Sequence, residues 1–259
     1  MFKILTTGKF YADGGAMFGA VPKTVWKRLY PVNERNLCVL AMNTGLVVTP
    51  AGRVVVVDPG VGLDYLNQQP AKFYGFHEMQ DLAVLLRREG VETDDVTDVV
   101  FTHLHFDHAS GAVCGGKPLF PNARHIFSRR QYEVMKTPFP LEKYSFLPES
   151  IEIIMNAGLC RMVSASTGTD GLEDFNIEFY NGHTDGQIVV TLLHDGIENV
   201  CFPGDVIPLA SHKVLERISA YDLNPMISYS DKETLLRNIK SSNAVTVYYH
   251  DVFKPLQRF

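Results

Sequence analysis

The sequence predicts a layered α/β domain, in which helices cover the faces of β-sheets. Short runs rich in β-branched residues alternate with amphipathic stretches along the chain, which is the pattern of α/β folds. No repeat, charge block or low-complexity linker divides the 259 residues, and folds of this class often keep such a length around one core. We therefore expect residues 1–259 to form a single domain.

The first half of the chain contains a predicted hairpin, a helix and a short strand. Leu37 to Val48 and Arg53 to Val57 are predicted strands, and Thr49 to Gly52 supplies the Pro and Gly of a turn. From Glu78 to Arg88, apolar residues recur at helical spacing until a glycine ends the run. Val99 to Phe101 form a buried strand that leads into a histidine-rich segment.

The second half combines further strands with a helix and an insertion. Lys232 to Ile239 has a helical pattern. Residues 135–158 carry prolines together with Phe139, Tyr144 and Phe146, which predicts an irregular or partly helical insertion that forms a pocket wall. A surface loop that covers core is an equal alternative. The predicted strands are Arg124–Phe127, Ile177–Tyr180, Ile188–Leu193, Val200–Phe202 and Ala244–Tyr249.

Composition and charge disfavour several classes of partner and location. The net charge is −5 and the Lys and Arg residues are scattered, so a nucleic-acid partner is not expected. No apolar run reaches membrane-spanning length and the amino terminus lacks a signal-peptide pattern, so we expect a cytoplasmic protein without membrane attachment. We expect four buried, reduced thiols, at Cys38, Cys114, Cys160 and Cys201.

Three histidines and an aspartate, His103, His105, Asp107 and His108, fall within six positions. Residues two apart in extended chain point to the same side, so the first two histidines can share one metal ion. Asp107 lies where a helix would begin, and that turn lets Asp107 and His108 face a second ion. Imidazole with carboxylate suits zinc, iron or manganese, and the absence of cysteine from the cluster argues against a closed structural zinc site.

Two coordination shells need more ligands, which must come from other strand ends. His183, Asp205 and His250 each follow an apolar strand, and glycine precedes the first two, as expected where the backbone turns tightly near a crowded site. A different histidine could take the place of His250. His212 follows Asp205 closely and could also reach the pocket.

The order His-x-His-x-Asp-His, Gly-His, Gly-Asp and a late His resembles the metallo-β-lactamase superfamily over nearly the whole chain. The resemblance implies a four-layer αββα sandwich and two divalent transition-metal ions, with zinc as the first choice and iron or manganese as alternatives. It also implies that Asp58 orients a metal-binding histidine. The implied ligands are His103, His105 and His183 for one ion, Asp107, His108 and His250 for the other, and Asp205 as the bridge.

Two such ions would lower the pKa of a shared water towards neutrality and polarise the oxygen under attack, so no serine or cysteine nucleophile is needed. Asp107 is then the candidate catalytic residue, because it can pass a proton to the leaving group. The alternative of another class is a non-catalytic domain that binds metal or a partner. Loss of a ligand in the folded structure would be its sign.

The amino-terminal segment Ala12–Gly19 is similar to a branch of the superfamily regarded as probable quorum-quenching lactonases. Within it, Met17 and Phe18 could form an apolar pocket wall over the metals, or the segment could cover core. Phe120–Ala123 and Tyr249–Asp251 fit the same branch.

Acyl-homoserine lactonases place a tyrosine three positions after the bridging aspartate, where this chain has Pro208. Tyr221 and His212 are the candidates to supply the hydrogen bond instead.

The sequence therefore predicts a hydrolase of a small neutral or acidic ester-like molecule, with a lactone as the first choice. A phosphotriester or aryl ester is the alternative for the same metal centre. A β-lactam is disfavoured, because zinc β-lactamases commonly have cysteine where Asp205 stands, and no basic cluster suggests a glutathione thioester. The expected partner is a small molecule, and a homodimer is compatible with the sequence.

Overall fold

The computed structural model describes residues 1–68, 71–165, 174–193 and 198–258. The helices in these ranges are α1 (Gly14–Phe18), α2 (Lys23–Trp26), α3 (Leu82–Arg88), α4 (Phe106–Ala109), α5 (Arg129–Lys136), α6 (Pro148–Asn156) and α7 (Pro225–Ser242). The strands are β1 (Phe2–Asp13), β2 (Leu37–Val48), β3 (Val54–Val57), β4 (Asp98–Val100), β5 (Val113–Cys114), β6 (Lys117–Pro118), β7 (Arg124–Ser128), β8 (Cys160–Val163), β9 (Phe175–Tyr180), β10 (Gln187–Leu192), β11 (Val200–Phe202), β12 (Val245–Val247) and β13 (Leu256–Gln257).

In the described ranges the strands form two large sheets and one small hairpin. The first sheet has the order β1-β2-β3-β4-β7-β8, and its strands from β3 onwards are parallel. The second has the order β13-β12-β11-β10-β9, in which β9, β11 and β12 run in the same direction. Parallel neighbours end at the same edge of a sheet, so loops after these strands lie close together.

Alternation along β3 shows how the layers are built. Val54 and Val56 pack with Leu82 and Leu86 of α3 on the outer face of the first sheet. The intervening Val55 and Val57 belong to an apolar core shared with the second sheet, as expected where successive side chains point to opposite faces.

The second sheet is covered on its outer face in the same way, by Leu235 and Ile239 of α7 against Val189 and Cys201. The helix–sheet–sheet–helix order confirms the predicted αββα sandwich.

Most predicted elements are present, with shifted ends. The hairpin of β2 and β3 is confirmed as antiparallel. The helix expected from Glu78 begins at Leu82, because the Asp81 side chain caps it by accepting hydrogen bonds from two backbone N–H groups. The last helix begins at Pro225 rather than Lys232, since Asn224 caps it and proline fits the first turn.

The burial of the four cysteines agrees only in part with the sequence prediction. Cys38 and Cys201 are buried, as expected, whereas Cys160 is only partly buried. The prediction was wrong for Cys114, which is exposed because it lies on the small hairpin of β5 and β6.

No helix within the described ranges is both long enough and apolar enough to cross a membrane.

Candidate metal centre

The structure brings the seven predicted ligands to one place, at the carboxyl ends of strands from both sheets. The histidine-rich segment follows β4, and its second half forms the short helix α4. From the second sheet, His183 follows β9, Asp205 follows β11 and His250 follows β12. The seven predicted ligands therefore lie close together only because the two sheets pack against each other.

Three buried histidines form the first group of converging ring nitrogens. His103 Nε2 lies 3.0 Å from His105 Nδ1, and His183 Nε2 lies 3.3 Å from the same His105 atom. This is the first predicted ligand set, and its three donor atoms lie within 4.8 Å of one another.

The second group contains Asp107, His108 and His250. The Nε2 atoms of the two histidines are 3.3 Å apart, and Asp107 Oδ2 lies 3.6 Å from that of His250. This is the second predicted ligand set, and it lies directly beside the first.

Asp205 lies between the two groups and faces both. Its Oδ1 is 3.4 Å from Nε2 of both His108 and His250, while its Oδ2 is 3.5 Å from His183 Nε2. A carboxylate that directs one oxygen to each group has the geometry of a bridge.

The ring nitrogens that point away from the centre are all held by oxygen atoms. In a neutral imidazole, an outer acceptor holds the proton on the outer nitrogen, which leaves the lone pair of the inner nitrogen available to a cation. The pairs are His103 with Thr102 Oγ1 (3.1 Å), His105 with Glu142 Oε2 (3.5 Å), His108 with Asp58 Oδ2 (2.9 Å), His183 with Asp222 Oδ1 (3.0 Å) and His250 with the Ala41 carbonyl (2.8 Å).

These donors fit a divalent metal centre. Asp205 Oδ1 is buried without a hydrogen-bond partner among the described residues, which is costly unless something else satisfies it. Burial would raise the pKa of Asp205, but His250 and His108 lower it well below its ordinary value and keep the carboxylate charged. Burial and the neighbouring His108 lower the pKa of His103, which keeps its ring neutral and able to bind a cation.

Asp58 connects the end of β3 to this centre. Its Oδ1 accepts the Thr102 backbone N–H and its Oδ2 accepts the Thr102 hydroxyl, both at 2.7 Å, while Oδ2 also contacts His108 Nδ1. Its backbone adopts the left-handed region at φ 50°. On the other sheet Gly204, at φ 52°, precedes Asp205, and a Cβ there would lie 2.6 Å from the Thr102 hydroxyl. Glycine is thus required for this close approach.

A cavity of about 270 Å³ opens over the centre. One wall is apolar and comes mainly from β1, β2 and α4, with Phe10, Leu40 and Phe106 among its residues. The opposite wall carries polar groups, including Glu142 and Asp222. None of the described residues that line the cavity is Lys or Arg.

The four predicted pocket residues divide into two pairs. Met17 and Tyr221 line the cavity, as does Pro208, which occupies the position of the missing tyrosine. Phe18 and His212 do not, because the Phe18 ring is buried and stacks on His212 with centroids 4.9 Å apart. His212 Nε2 donates to the Met17 carbonyl at 2.7 Å. These two side chains therefore support the cavity wall from behind, and His212 is not placed to contact a substrate.

The insertion contributes to the cavity through residues other than the predicted ones. Phe139 and Tyr144 are 59% and 65% exposed, and Phe146 packs on the His105 ring with centroids 5.1 Å apart. A turn closed by the Phe139 carbonyl, which accepts the Glu142 N–H, instead places Glu142 at the cavity.

Sequence reasoning did not single out Glu142 or Asp222, and it named Tyr249 only as part of the segment Tyr249–Asp251, without a role. Glu142 and Asp222 belong to loops without a motif, so only the folded chain shows that they contact the centre. Tyr249 could have been found from its position beside His250. Its hydroxyl donates to the Asp107 carbonyl at 2.6 Å and its ring stacks on His108 with centroids 4.0 Å apart.

Comparison with known proteins agrees with this arrangement. Residues 39–250 match the model of the family described as "Metallo-beta-lactamase superfamily". A curated N-acyl homoserine lactonase of Bacillus thuringiensis is 23% identical over 176 residues, which is 65% of this chain and 61% of that relative. The match thus spans less than two thirds of the relative's length.

Two solved structures share the fold over almost the entire chain. A probable metal-dependent hydrolase from Staphylococcus aureus has a TM-score of 0.89 and 25% identity, covering 100% of this chain and 91% of that one. AidC, described as a dizinc quorum-quenching lactonase in complex with a product, has a TM-score of 0.77 and 20% identity, covering 99% and 89%. Because the family model spans residues 39–250, the chain belongs to the metallo-β-lactamase superfamily.

Proposed function

We propose that this protein is a hydrolase that binds two divalent metal ions, with zinc as the first choice, and opens lactones. The observation that carries the proposal is Asp205, whose two oxygens face two separate groups of ligands. In this proposal His103, His105 and His183 hold one ion, and Asp107, His108 and His250 hold the other. When bound, such ions supply an activated water and polarise the carbonyl under attack.

Asp107 is the proposed proton carrier. Its Oδ2 lies 3.6 Å from His250 Nε2, and the residue also lines the cavity, so the carboxylate faces both the centre and the substrate. Tyr249 holds the Asp107 backbone through its hydroxyl. From this position the carboxylate takes the proton lost by the attacking water and gives it to the alkoxide oxygen released as the ring opens.

The cavity supports a neutral substrate with an apolar part. Its described lining has no Lys or Arg to bind a distant carboxylate or phosphate, and one wall is apolar. The names of the relatives, a curated N-acyl homoserine lactonase and the lactonase AidC, support a lactone carrying an acyl chain.

A substrate panel tests the proposal. With metal-loaded protein, kcat/KM for hexanoyl- and decanoyl-homoserine lactone is expected to exceed the values for paraoxon, a thioester and a β-lactam by at least about tenfold. Asp107→Asn is expected to lower lactone turnover, while Asp94→Asn, at an exposed position, serves as the matched control.

A paraoxon value about tenfold above both lactones would contradict the lactonase assignment and favour the phosphotriesterase alternative. Absence of turnover on the whole panel with metal bound would favour the non-catalytic alternative.

A further inference from the structure

The glycine in front of His183 lies against the backbone of helix α7. A Cβ added at Gly182 would be 2.4 Å from the Cα, N and Oγ atoms of Ser228, which is closer than such atoms can pack. Gly182 does not serve a left-handed turn, because its φ is not positive. The close approach of the loop to α7 is therefore the reason for this glycine.

Asp231 of α7 accepts two hydrogen bonds from the loop that carries His183. Its Oδ2 accepts the backbone N–H of Asn181 at 2.9 Å and that of Gly182 at 2.8 Å. Both donors belong to the two residues directly before the metal ligand. Because one oxygen holds two consecutive N–H groups, it fixes the direction in which the backbone enters His183.

The residues that lead into α7 hold the carbonyl groups of the same loop. The Leu223 N–H donates to the His183 carbonyl at 3.1 Å, and the Asn224 N–H donates to the Gly182 carbonyl at 2.9 Å. Asp222, directly before them, has its Oδ1 3.0 Å from His183 Nδ1. The backbone and the ring of this ligand are thus held by one stretch of chain, whose place depends on α7.

Lys232, the next residue of α7, anchors the helix to the segment that leads to Asp222. Its side chain is only 1% exposed, and Nζ donates to the Arg217 carbonyl at 2.7 Å. Two consecutive residues of α7 therefore reach two segments of the chain. Asp231 holds the segment that carries His183, and Lys232 holds the segment that carries the acceptor of its ring.

We propose that Asp231 is a positioning residue of the metal centre, whose acceptor oxygen fixes the loop that carries His183 and thereby sets the affinity for the ion that His183 binds. The inference rests on the ligand set of the proposed function and extends it to a helix that contributes no ligand. Because the role is geometric, it requires the acceptor atom of Asp231 rather than its charge.

Two substitutions of Asp231 separate the acceptor from the charge. Asp231→Leu removes both, and it is expected to weaken the binding of one zinc ion by about tenfold, the lower end of the range for outer contacts of metal ligands, while the other stays within about threefold. Asp231→Asn keeps an oxygen that can accept both N–H groups, and both ions are expected to stay within about threefold of the wild type. A two-site titration against a competing chelator measures the affinities.

Two further variants complete the test. Glu233→Leu removes an exposed carboxylate from the same helix, so this matched control is expected to keep the wild-type affinities. Gly182→Ala introduces the Cβ that would meet Ser228, and it is expected to weaken the same ion without any change of charge. It also tests the inference if Asp231→Leu does not fold.

Hydrogen–deuterium exchange of the metal-free proteins gives a readout that does not depend on metal. The Asn181 and Gly182 amides are expected to be protected in the wild type and in Asp231→Asn, and to exchange about tenfold faster in Asp231→Leu. If the wild type binds no zinc but exchange follows this order, the proposed function fails and the role of Asp231 in holding the loop stands. Wild-type affinities in Asp231→Leu, or equal losses in Asp231→Leu and Asp231→Asn, overturn the inference.

Discussion

Two buried polar clusters lie at opposite ends of β4 and differ in whether the protein satisfies them. At the start of β4, Asp98 Oδ1 accepts from Arg124 at 2.7 and 2.8 Å, and its Oδ2 contacts Arg53 and Thr97 at 2.9 and 2.8 Å. Beyond the other end, five histidines direct nitrogen atoms at one another, and Asp205 Oδ1 has no hydrogen-bond partner in the described chain.

The difference separates a structural cluster from a binding site. In the Asp98 cluster two arginines and the Thr97 hydroxyl occupy both carboxylate oxygens, so the buried charge of Asp98 is compensated within the protein. The cluster around Asp205 combines lone pairs and negative charge, which a cation would stabilise. Burial of charged groups alone is thus a poor indicator of function, whereas acceptors that converge without donors are a good one.

Removal of the Asp98 side chain should affect stability without affecting metal binding. Loss of one partner of a buried pair costs about 3–5 kcal/mol, and the 42% exposure of the Arg124 side chain reduces this to about 3 kcal/mol. Urea unfolding of Asp98→Ala measures the loss. A metal content that fell together with stability would show that the two ends are not independent.

Asp58→Asn should give the opposite result, with the fold retained and function weakened. The carboxylate accepts from Thr102 and contacts His108 Nδ1, so loss of this outer contact is expected to lower metal affinity or turnover by about 10–100-fold. Metal titration with a competing chelator measures the affinity. If metal affinity and turnover in this variant equal those of the wild type, Asp58 does not orient His108 and serves only in the turn after β3.

His125 is a third buried polar group, which lies outside both clusters. Its side chain is buried and its Nε2 has no hydrogen-bond partner among the described residues. Burial lowers its pKa to about 4, against about 6.5 in an unfolded chain. The unfolded state binds the extra proton, so stability is complete above pH 6.5 and falls as the pH drops towards 4.

Between pH 6.5 and 5.5 this single group should cost about 1 kcal/mol of unfolding free energy. Denaturant unfolding at both pH values should show that loss in the wild type and a smaller loss in His125→Leu. Equal losses in the two proteins would mean that His125 does not carry the effect.

Site residues could be predicted where a sequence motif or a strand end marks them, and not where their contacts depend on the conformation of a loop. The His103 to His108 cluster and the residues after strand ends could be recognised, because strand endings are visible in the sequence and parallel strands bring them together. Glu142 and Asp222 could not, since their contacts with His105 and His183 depend on loop conformations. For Phe18 the sequence left a pocket wall and a core-covering segment open, and the second alternative holds because α1 turns the ring into the core, where Trp26 and His212 cover it.

The count of metal ions bound by each chain tests the central claim most directly. Elemental analysis of metal-replete wild-type protein is expected to give about two transition-metal ions per chain, because the ligands form two groups on either side of Asp205. Asp98→Ala, altered only at the self-satisfied cluster, is expected to give the same value. A reproducible value near one in the replete wild type would contradict the bridged, two-ion centre.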